Sequence, residues 1–344
     1  MEPYLHRFAF LFAPSTTRRK RKMPRPTSAT TLQRPDLATL AYEYMLDADR
    51  RGFIGLSILP IFEVPQQSAD YPKIPLEALL KLQDLKRAPR AAYPRSDWEF
   101  ETGTYSCEEY GWEEAVDDVE AALYRRYFDA ETVANMRAVD ILLRAQEKRI
   151  AAAVFNTNNI TNTADVGTEW STAASCTPHA DVETAKEAMR AATGLLPNAM
   201  AITYKVFTNI LKSKELKDAF RYTNPIEIGG QEAKRRLLAQ YFGVDQVLVG
   251  GAIYDSTAKG QSTTIADIWD DEYALLFKAS SGGQDLREPC LGRSFLWTAD
   301  SPGNLVVESY RDEKVRSNII RVRHNVDEAF IFTGAGYLMS NITA

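Results

Sequence analysis

The sequence predicts a mixed α+β protein, and three stretches carry that prediction. Residues Ala130 to Phe155 run without glycine or proline and repeat apolar side chains at helical spacing. Residues 199 to 249 read as an apolar strand, two amphipathic helices and a second strand. From Glu272 onward the chain is a succession of short extended segments. At 344 residues and 45% hydrophobic it can bury one large core or two modest ones, and two domains are the natural expectation.

Residues 1–34 differ from the rest. They hold the basic run Arg18, Arg19, Lys20, Arg21 and Lys22, then a Pro/Ser/Thr stretch from Met23 to Thr31. With no helical or strand period, such a segment is expected to be disordered. It reads as a basic arm facing DNA or a scaffold, or more plainly as a solvated tail, with Met23 a possible start of the mature chain.

Leu37 to Asp49 suggests a short helix, and Phe53 to Leu59 is apolar enough to dock on something. Between Ile61 and Trp112 come two extended arms around a helix-like insert, Pro75 to Lys86. Trp98, Phe100 and Tyr105 lie on strand-like alternations there and are candidate contacts with a neighbouring molecule. Packing within their own loop is the alternative. The acids Glu113, Glu114, Asp117 and Asp118 suggest a helix start, where the macrodipole favours them.

Asp129 is placed to cap the long helix of Ala130 to Phe155, a rod of roughly 39 Å. Met136, Val139, Leu143, Ile150 and Ala153 mark its apolar face; Arg137, Asp140, Arg144, Glu147 and Lys148 mark the polar one. After a Thr/Asn/Ser-rich connection, Asp181 caps a helix over Val182 to Thr193, ended by Gly194. A strand from Ala199 to Tyr204, helices over Phe207 to Arg221 and Gln231 to Phe242, and a strand from Gln246 to Val249 follow. The remaining expected strands are 272–277, 295–298, 305–310, 319–323, 329–332 and 337–342.

Catalytic and metal chemistry finds little support. The three cysteines (Cys107, Cys176, Cys290) and three histidines (His6, His179, His324) are scattered outside metal-ligand spacings. Gly250-Gly251 follows a strand, but neither a Walker loop nor a dinucleotide fingerprint accompanies it, so a turn is the plainer reading. The acid pairs Glu113/Glu114, Asp117/Asp118 and Asp270/Asp271 have no polarising partner in sequence; solvation and charge pairing between subunits are their expected roles. A net charge of −5 disfavours wholesale wrapping of nucleic acid. No apolar run reaches the length of a membrane span. No cofactor is expected.

The order of parts, with the passages Asn158-Asn159-Ile160-Thr161 through Gly167-Thr168-Glu169-Trp170-Ser171 and Arg321-Val322-Arg323-His324-Asn325-Val326-Asp327-Glu328 to Tyr337, resembles the tailed-bacteriophage major capsid proteins of the Hong Kong 97-type fold, particularly the lambda-like branch. The resemblance covers roughly residues 35–344; the basic prefix has no counterpart in it.

It implies an N-terminal arm (1–60), an extended loop (61–112), a peripheral domain (113–195 and 305–335) with a spine helix near 130–155, an axial domain (196–304) and a returning C-terminal strand (336–344). It further implies self-assembly into pentamers and hexamers of an icosahedral shell around double-stranded DNA, assembled in the host cytoplasm. Portal and scaffold or decoration proteins would be partners, with no membrane. Some family members crosslink a loop lysine to an asparagine, for which Lys81 or Lys86 with Asn318 or Asn325 could be imagined, although no motif pins the pair. An encapsulin-like compartment, a soluble α/β enzyme built on 196–260 and a DNA-binding protein acting through residues 18–22 are the competing readings.

Overall fold

The computed structural model describes residues 31–33, 37, 41, 52–73, 100–220, 230–258, 260–286 and 288–343, with scattered positions between 75 and 95. Among the described residues the first elements are β1 (Thr31–Gln33), a single helical turn α1 (Gly55–Ile58) and β2 (Ile61–Val64). An antiparallel pair follows, β3 (Ser68–Lys73) and β4 (Glu101–Ser106), and then the ten-residue strand β5 (Glu108–Asp117). The short helix α2 (Asp118–Tyr124) leads into the 25-residue helix α3 (Ala130–Val154).

Next come β6 (Asn162–Asp165), α4 (Pro178–Thr193), β7 (Ala199–Thr203), α5 (Tyr204–Lys212), α6 (Lys214–Phe220) and α7 (Gln231–Phe242). The last part is extended: β8 (Gln246–Gly250), β9 (Ile253–Asp255), β10 (Ile265–Asp267), β11 (Ala274–Phe277), β12 (Gly292–Trp297), β13 (Val306–Asp312), β14 (Ser317–Phe330) and β15 (Gly336–Ser340).

Two larger sheets organise these elements. One has the order β1-β13-β14-β12-β2, with β5 also paired along β14; the other has the order β6-β15-β11-β7-β8. Strands β7, β11 and β15 of the second sheet are buried on both faces, which explains why they read as apolar runs. Met200, Ile202, Ala274, Leu276 and Met339 face a core shared with α4, α5 and α7. Their neighbours Ala199, Ala201, Leu275, Phe277 and Leu338 face a separate core on the other side.

Helix α3 spans the two sheets. Its first half packs Ala134, Ala138, Val139, Leu142 and Leu143 against Val116, Val307, Ile320 and Val322 of the first sheet. Its second half puts Ile150, Ala151 and Val154 into the core beneath the second. Each fully buried aliphatic side chain contributes about 1.5–3 kcal/mol, so both halves are strongly anchored. The α3 rod therefore couples the two cores mechanically.

Several local expectations are corrected. Glu113 and Glu114 do not begin a helix: they lie within β5, all ten residues of which pair with β14 from Val326 to Ser317. Asp117 and Asp118 do stand at a helix start as expected, with the Asp117 carboxylate accepting from Val119 N at 2.7 Å and Asp118 in the first turn of α2. Expected strands 319–323 and 329–332 are one strand, β14, pairing with β13 in its first half and β12 in its second. The expected helix 207–221 starts at Tyr204 and is interrupted at Ser213. Helix α4 begins at Pro178, so Asp181 lies in its first turn and is not its cap. Asp129 does occupy the cap position of α3, but its carboxylate accepts the Thr132 hydroxyl at 2.7 Å instead of a backbone amide. Residues 37 and 41 are helical, while most of the expected helix 37–49 and of the insert 75–86 lie outside the described residues.

Candidate assembly surfaces

The β3–β4 pair is held to the first sheet by a packed aromatic cluster. Tyr105 stacks on Phe295 of β12 with ring centroids 4.7 Å apart, and Tyr71 approaches the same ring at 5.3 Å. Val64 and Cys107 complete this cluster. Burial there pushes the Cys107 thiol up to about 11. The backbone amide of Ser106 donates to Asp327 at 2.9 Å, pinning β4 to β14. Gly103 is required beside Tyr71: a Cβ at that position would lie 2.5 Å from the tyrosine ring.

This cluster reassigns one candidate contact residue. Tyr105 is only 6% exposed and packs against its own chain, so its ring is not available to a neighbour. Phe100, just before β4, is 58% exposed. Trp98 and the basic run Arg18, Arg19, Lys20, Arg21 and Lys22 lie outside the described residues.

Glu147 is the polar residue that sequence reasoning placed on the wrong side. It is buried in α3 and ties three parts of the chain together. Its carboxylate accepts from Ile54 N at 2.7 Å, from Gly55 N at 2.9 Å and from the Trp269 indole at 2.7 Å. Burial is the largest influence on its pKa and raises it, against the lowering effect of these donors. A Cβ on Gly55 would sit 2.6 Å from the carboxylate, so glycine is needed for the approach. The spacing held the clue, since Leu143, Glu147, Ile150 and Val154 lie on one buried helical stripe.

The acid pairs are engaged within the chain. Glu113 meets Arg321 at 2.6 Å, and Arg321 also reaches Glu308 at 3.5 Å. Arg323 bridges Glu308 at 3.0 Å and Asp300. These form a cross-strand charge network over β5, β14 and β13. Asp118 takes both ends of the Arg311 guanidinium at 2.6 Å each, which lowers the carboxyl's pKa and raises the guanidinium's. Asp270 accepts from Glu272 N, and Asp271 from the Thr203 hydroxyl. On β14, His324 is fully buried with neither ring nitrogen hydrogen-bonded among the described residues. Burial, with the nearby Arg149 charge, pushes its pKa down to about 3.

The passages singled out in sequence are structural. Trp170 is fully buried and donates to Asp181 at 2.8 Å, and its amide bonds Ile342 O at the chain's end. Gly251 N bonds Gly52 O at 3.1 Å, a close backbone approach in place of a phosphate loop. Among the described residues no cluster of metal-ligating side chains occurs, and no helix is long and apolar enough to cross a membrane.

No family model matches the chain. Comparison with solved structures gives a phage-related protein from Bordetella bronchiseptica RB50, with TM-score 0.68 and 23% identity over 90% of this chain and 98% of that one. A structure from Microbacterium phage Oxtober96 matches with TM-score 0.55 and 12% identity over 84% and 91%. Two sheets joined by the long helix α3, together with these matches, make this the Hong Kong 97-type capsid fold. In fold the chain is thus like these phage proteins. Its sequence is 28% identical over 316 residues, 90% of this chain and 96% of the relative, to the major capsid protein of Burkholderia phage BcepMu. The name of that relative and the shared fold support a capsid-shell function. The lambda-like placement draws no support from these three proteins and rests on residues 158–171 and 321–337 alone.

Proposed function

We propose that the chain assembles into pentamers and hexamers of an icosahedral shell that encloses double-stranded DNA. Residues 1–60 serve as the arm, 61–112 as the extended loop, 113–195 with 305–335 as the peripheral domain and 196–304 as the axial domain, to which 336–344 return. The observation that carries this reading is the match to a major capsid protein over 90% of this chain and 96% of that protein. The Tyr71–Tyr105–Phe295 cluster supports it too, because it fixes the β3–β4 pair on the first sheet while Phe100, just before β4, stays exposed to a neighbour. Arg18 to Lys22 face DNA or a scaffold on the inner side, and portal and scaffold or decoration proteins complete assembly in the host cytoplasm.

Sedimentation velocity on the purified full chain, with nucleic-acid content measured in the fast fraction, tests the proposal. Large closed species are expected, with DNA in particles taken from infected cells. A protein that sediments only as a monomer would overturn the shell, and particles filled with an enzyme would favour a cargo compartment.

A further inference from the structure

Helix α2 is fixed at its start, rests Ala121 against the core of the first sheet and leaves its larger apolar side chains exposed. Asp117 caps it and Arg311 grips Asp118, yet none of its side chains is buried. Val119 is 67% exposed, Leu123 66% and Tyr127, just beyond the helix, 83%. Tyr124 and Phe128 stack on each other at 5.2 Å and remain exposed, as does Val133 at the start of α3. A shallow apolar groove continues from Val133 along Met136 and Ile141. These side chains bare on the order of 600 Å² of mostly apolar surface, at the upper end of what a monomer carries. That is close to the ~800 Å² each partner contributes to a stable interface. A seven-residue helix is also too short to hold its shape on intrinsic propensity.

We propose that this face is the contact between two copies of the chain across a two-fold axis, with the α2 helices packed antiparallel. The inference rests on the shell reading and adds to it a particular surface. Charge selects the partner and the direction. Exposed Glu120 lies in the first turn of α2, and exposed Arg125 and Arg126 follow its last turn. Antiparallel packing sets Glu120 of each copy opposite Arg126 of the other, twice, as an isologous contact requires. Parallel packing would bring the arginines onto their own copies. Pairing position 120 with position 126 centres the register on Leu123, so the two Leu123 side chains meet at the axis.

Leu123→Cys tests that register in assembled full-length protein. The native Cys107, Cys176 and Cys290 are buried, so the new thiol is the accessible one. Mild oxidation of shells should yield a disulfide-linked dimer from this single substitution, which requires proximity to a two-fold axis. Intact shells that give only monomer would overturn the contact. So would a bond within one chain between Leu123→Cys and Phe10→Cys, which would assign the face to residues 1–30. Glu120→Arg should lower the assembled fraction roughly tenfold, and Glu120→Arg with Arg126→Glu should restore it. A single variant that assembles like the wild type, or a pair that fails to recover, would equally refute the proposal. If the wild type forms no shell, the shell reading fails and this contact with it; if shells form without the crosslink, only the contact fails.

Discussion

His324 and Glu147 are buried ionisable groups with opposite circumstances. Both nitrogens of His324 are unpaired among the described residues, and its pKa is pushed down to about 3. A group depressed in this way favours the fold above its unfolded pKa, near 6.5, and loses that contribution as pH falls toward the folded value. Stability of the unassembled subunit should therefore drop between pH 6.5 and 5, with His324 adding up to about 1.4 kcal/mol per pH unit. His324→Phe should flatten that part of the curve and cost little at pH 7, since no hydrogen bond is lost. Urea melts at the two pH values would decide it; an unchanged slope contradicts the assignment. Glu147, in contrast, satisfies Ile54 N, Gly55 N and the Trp269 indole. Glu147→Leu should destabilise by about 3–5 kcal/mol by leaving buried donors unpaired, and Glu147→Gln by less. Equal melting points for Glu147→Leu and the wild type would refute the clamp.

At the scale of elements, what could be read depended on whether a pattern was local. The α3 rod was legible because the stretch from Ala130 to Val154 lacks helix breakers and keeps its apolar spacing throughout. Strand β5 was not legible, since its glutamates suit a helix start in isolation. Their actual partners, Arg321 and Arg323, come from β14 some two hundred residues later. The same reason hides Glu147, whose three donors come from residues far away in sequence. Tyr105 looked like a contact for a neighbour because nothing in its own stretch reveals Phe295. Conversely, the missing lysine spacing after Gly250-Gly251 is a local property and could be read directly, and the structure seats Gly251 against the Gly52 backbone. At the strand pair, Gly103→Val should collide with Tyr71 and loosen the cluster by about 1–3 kcal/mol. Limited proteolysis should then cut faster between residues 74 and 99; an unchanged cleavage rate would contradict the docking role of Tyr71 and Tyr105.

Helix α3 couples two of the molecule's cores, with the β3–β4 pair near one end of β5 and the short helix α2 at the other. The chain's polar groups are largely committed to holding this frame, which suits a subunit that passes load to its neighbours. Deleting residues 1–22 should leave the fold and shell formation intact while weakening nucleic-acid association and its dependence on salt, because that segment holds the Arg18 to Lys22 run. A deletion that abolishes assembly altogether would give the segment a scaffolding task instead. Electron cryomicroscopy of the full-length protein, concentrated and incubated for assembly, addresses the shell directly. Closed particles whose wall resolves into five- and six-fold clusters of this subunit are expected. A uniform population of single, fully folded chains at high concentration would contradict the account.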